Sequence, residues 1–399
     1  MLLTLVLNWL LAHQLGAKEY GIFTYAFSWV YFFGTLSVLG LDSVLQRELV
    51  KYLPEKAIGL ISFVQKLNVF ITLSILVVFA LIVYFFVSIT APHLILPLLL
   101  AVVALPFYSQ ILINKSVCVG FKAVEKSLIP ENIIRPLILT TLLIVGFIYQ
   151  LELDVKNAIL FNLIAFFIAY LSSIFFTRKS IPNKSNKKIK NANKEWVKLG
   201  LTFFLLTVTI TINSKADILM LGFFGHTDKV GIYNIAVKLS TFIALPLIII
   251  NRILTPFISE FFESKKEELS KVIKKTIRAI FLIGTILLIV FIFLGSPLLG
   301  YFGHKFKIGY SALILLSIGQ LINLFVGPVG NALTMSKYEK LAFKSMIIST
   351  VLNIVLNFVL IPLYNIEGAA IATFVSLVYW NISLFFLVKK NLKMNLSII

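Results

Sequence analysis

The chain has 399 residues, of which 59% are hydrophobic and 13% are charged, and its mean hydropathy is +0.98. Soluble domains carry about 45–50% apolar and about 25% charged residues, so a soluble protein of this composition would lack polar residues to cover its surface. The apolar residues also form long runs, for example at 70–89, 137–148 and 281–294. The composition excludes a soluble enzyme and indicates a helical protein that crosses a membrane many times.

The net charge of +19 and the single cysteine indicate which partners, disulfides and metal sites to expect. In a soluble protein such a charge would indicate nucleic-acid binding. In a membrane protein, basic residues flank the spans on the cytoplasmic side, so we expect no nucleic-acid partner. Cys118 has no second cysteine for an internal disulfide, and a zinc site is not expected.

The apolar runs predict twelve membrane-spanning helices. They lie near residues 1–15, 20–41, 64–89, 93–114, 127–150, 157–177, 197–221, 230–254, 279–303, 309–334, 343–363 and 367–388. The first run is short, because a spanning helix needs about 17–25 residues. We expect either a native start upstream of Met1 or a truncated first helix. A cleaved signal peptide fits less well, since no basic segment precedes the run.

The distribution of Lys and Arg predicts the orientation of the chain. Of the 36 basic residues, 27 lie in the even-numbered loops and the C-terminal tail, and five lie in the odd-numbered loops. Basic residues accumulate on the cytoplasmic side of membrane proteins. We therefore expect a multi-pass protein of the cell membrane with both termini in the cytoplasm. The predicted external loops are too short to hold a catalytic domain.

The predicted spans fall into two sets of six. A segment rich in Lys and Asn, residues 178–198, separates residues 1–177 from residues 199–399, and we expect it to be a basic cytoplasmic linker. Gly21-Ile22-Phe23 matches Gly231-Ile232-Tyr233 at an offset of 210 residues. Six spans return the chain to the same side of the membrane, so this match predicts a parallel internal repeat. Transporters built from such repeats place binding sites between the two bundles.

Several motifs resemble those of polysaccharide (O-antigen type) flippases. They are LGAKEYGIF at 15–23, LGLD at 39–42, Arg47, ADILMLG at 216–222, VGIY at 230–233, NAL at 331–333, LIPLY at 360–364 and GAAIAT at 368–373. The resemblance covers nearly the whole chain and is specific to the family but not to a substrate. Family members usually have a longer first span, and many have fourteen spans.

The resemblance implies both a fold and a function. The fold is an all-α integral membrane protein with about twelve transmembrane helices in two related six-helix bundles. The superfamily also contains multidrug and toxic-compound extrusion antiporters and lipid II flippases. The implied function is translocation of a lipid-linked oligosaccharide, usually on undecaprenyl diphosphate, from the inner to the outer leaflet. No bond is made or broken, so we expect neither enzymatic activity nor a cofactor.

Beyond this substrate and the membrane lipids, the implied partners are the polysaccharide polymerase and glycosyltransferases of the same pathway. A diphosphate headgroup needs a hydrated, cationic cavity within the membrane. Ionisable residues inside spans cost roughly 2.5–3.5 kcal/mol each on insertion scales, so they usually face a cavity or a partner. The candidates for lining a substrate cavity are Arg135, Lys238, Lys215, Asp217, Arg47, Arg252, Asn234, Asn353 and Asn357.

Depth in the membrane favours two of these candidates. Arg135 lies eight residues into the fifth span, which corresponds to about 12 Å at 1.5 Å per residue. Lys238 reaches a similar depth from the other side. For both we expect contact with substrate, and internal ion pairing is the main alternative. Glu131, one helical turn before Arg135, is the predicted ion-pair partner.

The other candidates have structural alternatives. Arg47 and Arg252 lie at cytoplasmic ends of spans, where basic residues also serve as interfacial anchors. Lys215 and Asp217 are close enough in sequence to form a structural pair near the outer surface. The two asparagines of the eleventh span are also suited to interhelical hydrogen bonding.

Two other functions stay open. A cation-coupled drug antiporter of the same fold would favour carboxylates within the membrane, whereas the deep charges here are mostly Arg and Lys. A membrane polysaccharide polymerase or glycosyltransferase would need catalytic loops outside the membrane. The sequence contains no Walker motif, nucleophile elbow or histidine-rich metal cluster.

Overall fold

The computed structural model describes residues 2–51, 54–181, 193–261, 266–336 and 338–392, and these ranges contain helices but no strands. The predicted all-α membrane fold is thereby confirmed. The chain divides into two compact units, Met1–Lys215 and Ala216–Ile399. Most of the predicted linker, residues 182–192, lies outside the described residues. The proposed division into residues 1–177 and 199–399 therefore stays a prediction.

The described residues of the first unit form nine helices and most of a tenth. They are α1 (Leu2–Ser37), α2 (Leu41–Glu48), α3 (Pro54–Ile82), α4 (Ser88–Thr90), α5 (Ile95–Val102), α6 (Leu105–Gly120), α7 (Val124–Ile129), α8 (Arg135–Ile148), α9 (Val155–Ser180) and α10 (Asn193–Phe223). Two π-helical turns, Val83–Val87 and Pro130–Ile134, and a 3-10 turn, Pro92–Leu94, continue the helices where α-helical hydrogen bonding is interrupted.

Helix α1 contains a sharp reversal at Gly16. This residue has φ 70° and ψ 175°, a conformation that glycine adopts more readily than other residues. The Tyr20 hydroxyl donates to Asn8 Oδ1 at 2.8 Å, although a continuous helix would separate these residues by about 18 Å. The segments before and after Gly16 therefore pack against each other, and they correspond to the first two predicted spans.

The second unit contains the end of α10 and six further helices. These are α11 (Thr227–Phe261), α12 (Lys266–Gly300), α13 (Tyr310–Val326), α14 (Val329–Met335), α15 (Glu339–Tyr364) and α16 (Ile366–Leu392), with a 3-10 turn at His304–Gly309. Gly225, with φ 82°, separates α10 from α11. The Tyr233 hydroxyl donates back across this turn to Asp217 Oδ2 at 2.5 Å.

The two turns share a polar contact that agrees with the sequence matches between the units. Asn8 and Asp217 each lie eight residues before their turn glycine, Gly16 and Gly225. Each accepts a hydrogen bond from a buried tyrosine of the helical segment that follows the turn. A tyrosine hydrogen bond of the same kind therefore joins the helical segments on either side of the turn glycine in both units.

The described part of the chain contains ten helical segments that are long and apolar enough to cross a membrane, or eleven if α1 and α2 together form one bent span. The chain therefore crosses the membrane many times, as predicted. The number of spans is below twelve because α1 contains both of the first two predicted spans but is counted at most once. The span at residues 57–90 buries only 17% of its most apolar window, as expected for a helix that faces lipid.

Candidate functional site

Arg135 occupies the point where an irregular helical segment becomes a regular helix. The π-helical turn Pro130–Ile134 precedes it and Pro136 follows it. Prolines lack a backbone N–H and π-helical turns change the helical repeat, so both features redirect the side chain. Arg135 Nη1 donates to the Tyr31 hydroxyl at 2.5 Å, and its Cζ lies 4.5 Å from the Phe166 ring centroid. The guanidinium thus lies over an aromatic ring at a distance that is typical of a cation–π contact.

Lys215 approaches the same tyrosine from α10. Its Nζ lies 5.1 Å from the Tyr31 ring centroid, and Arg135 Cζ lies 5.7 Å from it. Both cations line a cavity of about 300 Å³ within the first unit. The other lining residues are Thr4, Thr35, Tyr108, Glu131, Asn132, Pro136, Thr211 and Ser214. The structure therefore brings two of the predicted cavity residues, Arg135 and Lys215, into one cavity.

The described lining of this cavity also contains one acidic side chain, Glu131. Among the described residues, no ion pair joins Arg135 or Lys215 to a carboxylate. Glu131 binds Lys115 Nζ through Oε2 at 2.8 Å, so the predicted Glu131–Arg135 ion pair is wrong. Arg135 Nε is buried and has no hydrogen-bond partner within the described ranges. An unsatisfied buried donor costs about 1–3 kcal/mol, which an anion in the cavity could offset.

Asp217 belongs to a polar cluster of the second unit. Its Oδ1 accepts from Asn357 Nδ2 at 2.7 Å and from Asn353 Nδ2 at 3.3 Å. Its Oδ2 accepts from the Tyr233 hydroxyl at 2.5 Å and from the Thr373 hydroxyl. All four donors are neutral, and no described basic residue forms an ion pair with this carboxylate.

This cluster settles two of the structural alternatives. The Lys215–Asp217 ion pair does not form, because Lys215 lies beside an aromatic ring and Asp217 is bound by neutral donors. Asn353 and Asn357 do form interhelical hydrogen bonds, since they lie on α15 and their acceptor lies on α10. Their predicted contact with substrate stays a prediction.

The remaining four candidates lie on α2 and α11. Asn234 is buried and Lys238 is half-buried, and each has an interaction partner. The Arg47 side chain is 56% exposed, with Nε 3.5 Å from Glu48 Oε1, and Arg252 is exposed. These exposures fit interfacial anchoring of the two arginines. A role of any of the four in substrate binding stays a prediction.

Sequence reasoning did not identify the aromatic part of the cavity or the Lys115–Glu131 ion pair. Tyr31 and Tyr108 resemble ordinary residues of apolar spans, although a buried phenol hydroxyl needs a hydrogen-bond partner. That requirement is the one sequence signal that could have indicated polar partners for Tyr31 and Tyr108. The predicted end of the fourth span at residue 114 places Lys115 in a loop, whereas α6 continues to Gly120.

Two family models match the sequence. Residues 1–262 match the model described as polysaccharide biosynthesis protein, which covers nearly two thirds of the chain. Residues 202–359 match the MatE model. Both matched ranges contain Lys215 and Asp217, whereas Arg135 lies only in the range matched by the polysaccharide biosynthesis model.

Curated relatives occur among archaea. The chain is 31% identical over 170 residues to the "Probable flippase AglR" of Haloferax volcanii, covering 41% of this chain and 35% of that protein. It is 26% identical over 256 residues to an uncharacterized membrane protein of Methanocaldococcus jannaschii, covering 59% of each. The matches therefore span about one third to three fifths of the length of these relatives.

Solved structures share the fold over almost the whole chain. An inward-facing multidrug resistance MATE family transporter of the MOP superfamily matches with a TM-score of 0.79 and 14% identity, covering 98% of this chain and 94% of that one. The lipid II flippase MurJ in an inward closed conformation matches with a TM-score of 0.78 and 18% identity, covering 97% and 85%. The family model and these folds agree, and the chain belongs to the polysaccharide biosynthesis protein family.

Proposed function

We propose that this protein is a flippase that moves lipid-linked oligosaccharide units, carried on undecaprenyl diphosphate, from the inner to the outer leaflet. The main support is the pair of cations, Arg135 and Lys215, that share one cavity. Among the described residues neither forms an ion pair with a carboxylate, since Glu131 of the same cavity binds Lys115. The family and the names of its relatives support the same activity.

The cavity has the chemistry that a diphosphate headgroup requires. An unpaired anion within hydrocarbon is very costly, and Arg and Lys near the same tyrosine offset that charge. The guanidinium can donate two parallel hydrogen bonds to phosphate oxygens, and the ammonium acts as a point charge. At about 300 Å³, the cavity lies at the lower end of the usual range for ligand pockets. It therefore suits the diphosphate rather than a complete oligosaccharide.

In this proposal the two bundles alternate between inward-open and outward-open states while the lipid tail stays in the bilayer. No covalent bond changes. The protein lies in the cell membrane with both termini in the cytoplasm, so that substrate arrives from cytoplasmic glycosyltransferases and leaves towards an external polymerase. The basic even-numbered loops support this orientation.

Deletion of the gene, with analysis of surface polysaccharide and lipid-linked intermediates, tests the proposal. We expect surface polymer to be lost and complete repeat units to accumulate on their carrier at the inner leaflet. Complementation with wild type restores the polymer, whereas complementation with a variant combining Arg135→Ala and Lys215→Ala does not. Single units that reach the surface unpolymerised would indicate a polymerase, and an unchanged polysaccharide profile would overturn the proposal.

A cation-coupled antiporter of small molecules is the second candidate. The Asp217 cluster favours it, since a buried carboxylate that has only neutral donors in the described chain can take up a proton or a cation. The MatE match over residues 202–359 includes Asp217, Tyr233, Asn353 and Asn357 of this cluster, although not Thr373. Under this alternative, deletion would sensitise the host to toxic compounds and leave its polysaccharide unchanged. Asp217→Asn would reproduce that sensitivity.

A further inference from the structure

A second cavity in the first unit has about twice the volume of the one beside Arg135. It measures about 630 Å³ and lies between α3, α6 and α9. We call it the lateral groove. Its charged lining residues are Lys66 and Arg178, and its amides are Gln65, Gln110 and Asn114. Within the described part of the chain the lining contains no carboxylate, so the groove is cationic.

Both cations of the lateral groove are available to a ligand. Lys66 and Arg178 are exposed, and neither forms an ion pair with an acidic residue of the described chain. Lys115, which lies on the same helix α6 that lines the groove, contrasts with them because it binds Glu131 at 2.8 Å. Two unpaired cations over one cavity attract an anion, particularly where water is partly excluded.

The two cations lie near the ends of their predicted spans, Lys66 at the start of 64–89 and Arg178 directly after 157–177. The apolar run at residues 70–89 begins one helical turn after Lys66. Its twenty residues span about 30 Å as a helix, which is the thickness of the hydrocarbon core. Arg178 lies in the last turn of α9, just beyond the apolar part of that helix. An anion held between them is therefore at the depth of a lipid phosphate.

The amides form a wall that is already hydrogen-bonded. Gln110 Nε2 donates to Asn68 Oδ1 at 2.9 Å, and Gln65 Nε2 donates to Asn114 Oδ1 at 3.4 Å. Asn114 Nδ2 donates to Ser173 Oγ at 2.9 Å. These bonds hold the polar wall in place without a ligand. Charge compensation for the two cations is what the groove still lacks.

An exposed apolar stripe runs from Lys66 into the membrane. Val69, Leu73 and Val77 follow it at helical spacing on α3, with exposures of 46%, 50% and 56%. An acyl chain attached to a phosphate at Lys66 would lie along this stripe. The combination of cations at headgroup depth and an apolar stripe beneath them suits a lipid better than a soluble anion.

We propose that the lateral groove binds the phosphate headgroup of an anionic membrane lipid through Lys66 and Arg178. The acyl chains of this lipid lie along Val69, Leu73 and Val77. The site is separate from the cavity that contains Arg135 and Lys215, and the proposal does not depend on the transported substrate. The lipid is a resident of the bilayer that stabilises the packing of α6 against α3 and α9.

Native mass spectrometry of the full chain in non-ionic detergent tests this site. The probes are dioleoyl phosphatidylglycerol and, as a zwitterionic control, dioleoyl phosphatidylcholine. We expect wild type to prefer the anionic lipid and Lys66→Gln with Arg178→Gln to weaken its binding about 30-fold, since each basic residue near anionic lipid contributes about fivefold. Each single substitution weakens binding about fivefold.

A variant with Lys389→Gln and Lys390→Gln is the matched control. It removes the same charge from two exposed residues at the end of α16, and its binding of phosphatidylglycerol should equal that of wild type. Equal binding in all variants, or equal loss in the groove and control variants, would overturn the proposal. Displacement of phosphatidylglycerol by millimolar inorganic phosphate would indicate a free-anion site instead. Preferential displacement by undecaprenyl phosphate would assign the groove to the transported lipid.

Discussion

Arg135 is held by neutral aromatic groups, the Tyr31 hydroxyl at 2.5 Å and the Phe166 ring at 4.5 Å. A charged group in a hydrogen bond contributes about 1.5–3 kcal/mol. We therefore expect Arg135→Ala to lower transport about tenfold to a hundredfold while membrane insertion is unchanged. Arg135→Lys keeps the charge but loses the guanidinium contact with the ring, so it should retain intermediate transport. Surface polysaccharide in a complemented deletion strain measures both effects.

The control for this prediction is Lys156→Ala, which removes a cation from an exposed position in the first turn of α9. It should leave transport at the wild-type level. If Arg135→Ala and Lys215→Ala both supported full transport at normal protein abundance, the cationic cavity would have no part in substrate translocation.

Asp217 provides the other prediction at this scale. Asp217→Ala leaves the hydroxyls of Tyr233 and Thr373 and the amides of Asn353 and Asn357 without their common acceptor. Each unsatisfied buried donor costs about 1–3 kcal/mol, and partial rearrangement limits the total to about 3–5 kcal/mol. The apparent melting temperature in detergent should therefore fall by several degrees. Asp217→Asn keeps one oxygen acceptor, so its melting temperature should fall less than that of Asp217→Ala.

The matched substitution is Asp228→Asn, at an exposed position in the first turn of α11. It should leave the melting temperature unchanged. Equal melting temperatures for Asp217→Ala and Asp228→Asn would mean that the cluster does not stabilise the second unit.

At the scale of elements, the reversal within α1 depends on the backbone of Gly16. With φ at +70° and open space around the site of a Cβ, an alanine meets no steric clash there but adopts a strained conformation. At φ 70° and ψ 175° the Gly16 backbone lies in a region that is essentially restricted to glycine, and such strained conformations cost other residues about 1–3 kcal/mol. Gly16→Ala and Gly225→Ala should each lower the apparent melting temperature in detergent. Gly330→Ala, within α14 and with only an ordinary 3.6 Å contact, should not lower it.

An unchanged melting temperature for Gly16→Ala would mean that the turn tolerates a different backbone path. A further measurement follows from the Asn8–Tyr20 hydrogen bond. Tyr20→Phe removes that bond without altering the turn residue. A lower melting temperature for both Tyr20→Phe and Gly16→Ala would show that the hydrogen bond and the turn glycine both stabilise the reversal.

Elements also show where prediction from sequence succeeds and where it stops. Long apolar runs define the spans because hydrocarbon demands them, and the turn glycines mark reversals. The hydrogen-bond and ion-pair partners of individual side chains are harder to predict from the sequence. Arg135 binds Tyr31 across 104 residues of sequence, whereas the spacing favoured Glu131, only one turn away. Glu131 binds Lys115 instead, and helix packing, which the local pattern does not contain, decides between these partners.

At the scale of the whole molecule, the excess of Lys and Arg in the even-numbered loops supports an orientation of the chain in the membrane. That orientation in turn supports a direction of transport. If the even-numbered loops lie in the cytoplasm, the lateral groove faces the inner leaflet, where Lys66 and Arg178 meet anionic lipid headgroups. The same orientation lets a headgroup assembled in the cytoplasm enter the cavity beside Arg135 from the inside. A reversed chain would expose both sites to the opposite leaflet.

Cysteine labelling in intact cells tests this orientation. Lys305 and Lys390 are both exposed, and they lie on opposite predicted sides of the membrane. Cys118 is buried, so background labelling by a membrane-impermeant maleimide should be low, and Cys118→Ser removes it. In that background we expect Lys305→Cys to be labelled in intact cells and Lys390→Cys only after the membrane is permeabilised. The reverse pattern would place the basic loops outside, and transport from the inner to the outer leaflet would then lose its support from the charge distribution.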